Sequence, residues 1–263
     1  MMLRLVIGAA LAAIIAAAAA RARLLSTTGA LAAAVVGTAA VTAGWSWGIV
    51  LVVFFALTSG FSAYGAERKR ALTRGVLAKS ATRDAVQVLT NGGVFAVAAL
   101  GWLFAGTPVL LAAGAGAIAA AAADSWATET GIAFGGVPRS IIFWTRMTRG
   151  TSGGVTIAGF FGAAAGAAGM AGTMLLIGWP RAVALAAVFS GMFGMIIDSV
   201  LGATLQARRF CPDCGTETEQ PVHDCGRHTQ VIRGVRWMDN DLVNMLATLS
   251  GAVIAGILLV VGV

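Results

Sequence analysis

Charge is scarce in this sequence. Asp, Glu, Lys and Arg make up 11% of its 263 residues, while 58% are hydrophobic. A soluble domain carries about a quarter charged residues, so the shortage excludes an ordinary water-soluble protein. Histidine is scarcer still. Both copies, His223 and His228, lie in one short loop, so no histidine stands elsewhere to serve as an acid or base. The three cysteines share that loop. On a loop expected to face the cytoplasm, a disulfide framework is disfavoured. No "GK[ST]" follows the Gly-rich stretch "TRGTSGG", which rules out a Walker A nucleotide loop there.

Long apolar runs are what the chain has in quantity. Its mean hydropathy is +0.86. Eight segments, about 3–20, 27–43, 46–62, 87–104, 108–126, 153–177, 182–203 and 242–262, approach the roughly 20 apolar residues that cross a bilayer. Several are rich in Ala and Gly, which let helix backbones approach closely in lipid. The pattern predicts an all-α polytopic membrane protein: one bundle of about eight transmembrane helices over residues 1–263. A small Cys/His loop, residues 204–241, is inserted between spans seven and eight. The first span is expected to be retained, because Arg21 and Arg23 would head the mature chain if it were cleaved as a signal.

The net charge of +7 is distributed by topology. With both termini outside, sixteen of the eighteen Lys and Arg fall on one side of the ladder, and the positive-inside rule makes that side cytoplasmic. This one-sided pattern argues against a nucleic-acid partner. All eleven acids lie on the same side or just inside the membrane there. Such one-sidedness suits an enzyme opening to the cytosol. Transporters tend to place polar sites at mid-membrane between inverted repeats.

Six stretches carry candidate chemistry. In "AAAAADSWATETG" and "IDSVLGATLQ", Asp124 and Asp198 are each the first acid after a long apolar span, and Glu129 follows Asp124. Charge at that depth needs a partner or a function. Converging carboxylates suit Mg²⁺, which binds one or two carboxylates together with substrate phosphates. The alternative is pairing of each acid with an Arg across the bundle. Lys79, Arg83, Gln87 and Asn91 recur every four residues, a polar stripe on a helix entering the membrane. Its cations suit phosphate; interhelical hydrogen bonding is the blander role. In "TRGTSGG", Arg149 precedes Gly150, Thr151, Ser152, Gly153 and Gly154. A tight turn capped by Thr151 or Ser152 would offer helix-start N–H groups to phosphate, although Gly-rich starts also serve packing. In "CPDCGTETEQPVHDCGRH", Cys211 and Cys214 form one C-x₂-C knuckle. His223 with Cys225, or Cys225 with His228, would complete a four-ligand structural Zn²⁺ site; a redox pair or plain thiols are the other readings. Asn240 and Asn244 lie one turn apart at the start of the last span. They would join the same site or serve capping and packing.

Read in order, "LTSGFSAYGAERKR", "RDAVQVLTNGGV", "ADSWATETG", "PRSIIFWTRMTRGTSGGVT", "IDSVLGATLQ", the "CPDC…HDCG" loop and "RGVRWMDNDLVNMLATLSG" resemble the integral-membrane family that includes phytyl-phosphate kinase of plants and cyanobacteria. The chain is also distantly similar to membrane enzymes of the dolichol-kinase and CDP-diacylglycerol-synthase type. The resemblance implies phosphoryl transfer from a nucleoside triphosphate, CTP favoured, to a prenyl monophosphate such as phytyl phosphate. It implies Mg²⁺ on Asp124, Glu129 and Asp198, with phosphates held by Lys79, Arg83, Arg149 and the "GTSGG" N–H groups. A monophosphate acceptor is itself an anionic nucleophile, so this chemistry needs positioning and charge neutralisation more than a strong base. The alternatives are a cytidylyltransferase acting on a lipid phosphate and a lipid or small-solute transporter.

Overall fold

The computed structural model describes residues 2–73, 75–76 and 82–262. Eight long helices dominate it. They are α1 (Met2–Arg21), α2 (Thr27–Ala43), α3 (Trp45–Ala63), α5 (Ala85–Ala105), α6 (Pro108–Phe134), α7 (Ile157–Leu176), α8 (Arg181–Thr204) and α9 (Asn240–Val260), with a short α4 (Ala66–Leu72) after α3. Seven are long and apolar enough to cross a membrane; α2, with 17 residues, is shorter. The surface agrees with lipid contact: Leu176 is 90% exposed and Phe104 82%.

α6 is the spine. It packs against α5, α7, α8 and α9. Its run from Ala112 to Ala123 is almost wholly buried, and glycine makes this closeness possible. A Cβ on Gly116 would stand 2.5 Å from the Ala255 Cβ, and one on Gly251 would stand 2.6 Å from the Gly116 carbonyl oxygen. Along α7, a Cβ on Gly159, Gly162 or Gly166 would meet the α6 carbonyls of Ala127, Trp126 or Ala122 at 3.0, 2.6 and 2.8 Å. Lipid supplies no hydrophobic drive between helices, so such contacts hold the bundle by dispersion. At one end Trp47 is fully buried among Phe95, Trp102 and Trp179.

Two boundaries differ from the sequence expectation, and both shape the site. The fifth predicted span ends at 126, but α6 continues to Phe134. No proline occurs before Gly135 and Gly136, the single Gly131 is carried within the helix, and the polar residues beyond Ala123 turn into a cavity. The sixth span was expected from 153, but α7 starts at Ile157, where the Thr156 hydroxyl caps Gly159 N at 2.9 Å. Thr151 and Ser152 therefore lie outside the helix. Their segment is a turn, with Gly150 and Gly153 at positive φ, +84° and +82°. It leads into a small antiparallel pair, β1 (Arg139–Ser140) with β2 (Gly154–Val155).

Between α8 and α9 the chain forms a small lobe. Strands β3 (Arg208–Cys211), β4 (Thr216–Thr218) and β5 (Gln230–Arg233) make an antiparallel sheet in the order β4-β3-β5. Its two stems meet where Ala207 N donates to Met238 O at 2.8 Å and Val235 N donates to Leu205 O at 2.8 Å. The lobe is thus held over the ends of α8 and α9.

Candidate functional site

A polar cavity of about 510 Å³ opens beneath the lobe. Asp124 and Ser125 reach it from α6, Asp198 and Ser199 from α8, and Asn240, Asp241 and Asn244 from α9. The turn from Arg149 to Gly154 forms another wall. The four groups come from four separate stretches of sequence, and the α6–α8–α9 packing brings the helical ones together.

Asp198 is 8% exposed, and its Oδ2 has no hydrogen-bond partner. It feels the charges of Asp124 and Glu219. Asp124 has no hydrogen bond or ion pair among the described residues, so the expected alternative of an arginine partner does not occur for either acid. A buried carboxylate oxygen without a partner is costly. Two acids in one polar cavity form a donor set that fits a hard divalent cation.

Glu129 lies on the same helix but is already engaged. Lys69 of α4 forms an ion pair with it, and the Ser62 hydroxyl donates to it. Lys69 also donates to the Phe61 and Ser62 carbonyls, each at 2.9 Å. Glu129 thus ties α6 to the end of α3, although it still lines the cavity. The three expected acids divide into a pair, Asp124 and Asp198, and a tethered Glu129.

The expected four-residue stripe is not one helix. Lys79 lies outside the described residues. Arg83 precedes α5 in extended chain, exchanging backbone hydrogen bonds with Leu24 O at 3.0 Å and Ser26 N at 2.9 Å. Asp84 then caps α5: its Oδ1 accepts from Gln87 N at 2.9 Å, and Gln87 Oε1 accepts from Asp84 N at 3.1 Å. The pattern Asp-x-x-Gln is a capping box, a boundary signal that the four-residue period concealed. Only Gln87 and Asn91 share the helix face, and both still line the cavity. Arg83 joins them there. Its side chain donates to the Thr58 hydroxyl at 3.2 Å and lies 5.8 Å from the Phe55 ring centre. Burial lowers its pKa, and Glu129 opposes that by favouring the charge. One hydrogen bond uses little of a guanidinium with five N–H donors.

The Gly-rich turn does not present a row of free N–H groups. Thr151 N donates to Thr148 O at 3.3 Å, Gly154 N to Thr151 O at 3.2 Å, and Ser152 N to the Glu219 carboxylate at 2.8 Å. The turn is pressed against α8: a Cβ on Gly202 would stand 2.8 Å from Gly153 N. What it offers the cavity is side chains. The Ser152 hydroxyl accepts from Gln206 Nε2 at 3.0 Å and lies 3.4 Å from Asn240 Oδ1. Arg149 lines the wall beside it, its Nη1 3.5 Å from Ile132 O.

Glu219, Gln206 and Asp241 were not among the expected residues. Glu219 stands on the lobe, accepts from Ser152 N, and donates its own N–H to Val76 O at 3.0 Å. Burial pushes its carboxyl up from the usual range, while Ser152 and Arg208 pull the other way. The signal available for Asp241 was its position between Asn240 and Asn244 at a helix start. Glu219 had none, because its place depends on how the lobe docks.

The lobe carries a second cluster. Ligand atoms of Cys211, Cys214, His223 and Cys225 all lie within 4.8 Å of one another, so this Cys₃His group can hold a metal ion. Cys211 Sγ lies 3.6 Å from Cys225 Sγ, and His223 Nδ1 lies 3.3 Å from Cys225 Sγ. Tetrahedral Zn²⁺ with bonds near 2.3 Å to sulfur sets sulfurs roughly 3.8 Å apart, and a disulfide would need about 2.05 Å. The spacing fits shared coordination. His228, expected as an alternate ligand, is not in this group: it pairs by a β-bridge with Val222. The reverse turn between the two histidines carries His223 to the sulfurs and His228 away.

The comparisons agree with the membrane architecture. Protein PGR of Arabidopsis thaliana is 30% identical over 272 aligned positions, covering 94% of this chain and 93% of that protein. No solved structure matches the chain. Residues 10–252 match the family described as integral membrane protein DUF92, and the chain belongs to that family.

Proposed function

We propose that this protein is a membrane-embedded kinase that transfers a phosphoryl group from a nucleoside triphosphate, CTP favoured, to a prenyl monophosphate such as phytyl phosphate. The observation that supports this most is the shared cavity. It combines two partner-poor carboxylates, Asp124 and Asp198, with the cations Arg83 and Arg149. In this reading Asp124 and Asp198 hold Mg²⁺, which when bound neutralises charge on the nucleotide phosphates. Glu129 completes the acidic wall while tethered to Lys69. Arg83, Arg149 and Lys79 hold phosphate oxygens, and Gln87, Asn91, Asn240, Asn244 and the Ser152 turn orient the two substrates. The acceptor phosphate oxygen attacks the terminal phosphorus, the bond to the bridging oxygen breaks, and the nucleoside diphosphate leaves. No strong base is needed, which suits a cavity without histidine.

The Cys₃His group is read as a structural Zn²⁺ site, because protein supplies all four ligands. Thiolate ligands and the positive-inside pattern favour a lobe, and hence a cavity mouth, on the cytoplasmic side.

The test is product analysis. Purified protein, CTP, Mg²⁺ and a panel of prenyl monophosphates should yield prenyl diphosphate and CDP by mass spectrometry. A CMP-linked lipid with pyrophosphate would replace the reading with a cytidylyltransferase. No product from any lipid or nucleotide, together with nucleotide-independent uptake in proteoliposomes, would replace it with a transporter.

A further inference from the structure

A second hollow, of about 310 Å³, lies between α1, α2, α3 and α5. Its walls are apolar side chains such as Leu11, Ile15, Val36, Ile49 and Val52. Three lining residues carry a charge or an amide: Arg83, Gln87 and Asn91. The same three line the polar cavity. The two hollows therefore border each other at these three polar residues, with the Phe55 ring beside the Arg83 guanidinium there. A water-filled passage would carry polar groups along its length, and a packing defect would have no reason to end at the cavity's cation.

We propose that this groove holds the hydrocarbon chain of a lipid whose phosphate lies in the polar cavity, and that it admits one chain and not two. The inference rests on the phosphoryl-transfer reading for the identity of the head group; the groove itself does not. An amphiphile bridging the two hollows places its anion at Arg83 and its tail along α1, α2 and α3. Pockets that take one small molecule run roughly 300–1,000 Å³, so 310 Å³ is at the low end and suits a single slender chain. A diacyl phosphate would leave its second chain outside. Val52 and its neighbours on α3 then set how much of the chain is covered.

Val52→Trp fills the groove from an exposed position. Leu57→Trp on the same helix is its control, since the two sites are comparably exposed, 43% and 40%, and Leu57 does not line the groove. Turnover is measured with geranyl, farnesyl and geranylgeranyl monophosphates and with dioleoyl phosphatidic acid. Wild type should prefer the longer single chains and reject the diacyl lipid. Val52→Trp should lower kcat/KM for geranylgeranyl monophosphate by about tenfold or more, because several methylenes lose their cover. Leu57→Trp should match wild type. Where wild type turns over, equal behaviour of the two variants, or equal use of the diacyl lipid, would overturn the proposal. Retention of radiolabelled geranylgeranyl monophosphate by the purified proteins reads the groove without turnover. Retention lost only in Val52→Trp, with no product formed, would keep the groove and reject the kinase. Retention absent in wild type, or equal in both variants, would reject the groove.

Discussion

Asp198→Asn separates the cost of the acidic pair from its use. Asp198 is buried, its Oδ2 lacks a partner, and it feels Asp124 and Glu219. An uncompensated buried charge costs about 3–5 kcal/mol. The replacement amide, still short of partners, keeps a penalty of about 1–3 kcal/mol. The difference is a gain of about 2 kcal/mol when no divalent ion is present. For a chain of this size, each kcal/mol moves the melting point by roughly 2–4 °C, so the variant should melt about 4–8 °C above wild type in EDTA. Mg²⁺ should then reverse the order of benefit. An ion at a hundred times its Kd adds about 2.7 kcal/mol, which should raise wild type and leave the variant nearly unmoved. The assay is thermal unfolding in detergent, with EDTA and with Mg²⁺, beside turnover. A variant that melts below wild type in EDTA, or gains as much from Mg²⁺, would refute the reasoning that this carboxylate is held ready for a cation.

Two further outcomes test the packing and the lobe. Cys214→Ser should reduce bound zinc, measured by elemental analysis, from about one per chain to well below half, while His228→Ala should retain it; equal zinc in both would reject the Cys₃His site. Gly116→Ala should lower the melting point by the equivalent of about 1–3 kcal/mol, since its Cβ would meet Ala255 at 2.5 Å. Gly169→Ala, where nothing lies within 4 Å of the new Cβ, should be neutral or slightly stabilising.

The helices were legible because lipid leaves few alternatives: long apolar runs with Gly and Ala become packed spans. Their ends were less so. The run of alanines suggested a span stopping near Trp126, yet a polar residue does not end a helix and a lone Gly131 does not either, and α6 continues to Phe134. The period linking Lys79 to Asn91 looked like a single face, but Asp84 and Gln87 cap each other and start the helix between its members. Asp124 and Asp198 could be picked out as isolated acids; that they share a cavity depends on α6 packing against α8, a long-range contact. The Cys₃His set was readable from spacing as far as Cys225. The choice between His223 and His228 needed the turn. Glu219 was invisible, because docking of the lobe brings it to Ser152 and no local pattern does.

The spine helix also bears on how the protein is made. α6 is the most buried of the candidate spans, with 61% of its most apolar stretch enclosed. Its mean hydropathy is 1.5, against 2.2 for α1 and 2.1 for α9. During synthesis it leaves the ribosome before α7, α8 and α9 exist to surround it, already carrying Asp124. Asp124 lies towards one end of the apolar stretch, where an acid costs less than the roughly 2.5–3.5 kcal/mol it costs at the centre of a span, but alanine offers little to offset it. A newborn α6 should therefore gain from contact with α5, against which it packs in the finished fold, until its later neighbours arrive. The residues that make the finished core tight make the half-built protein the hardest form to keep in the membrane.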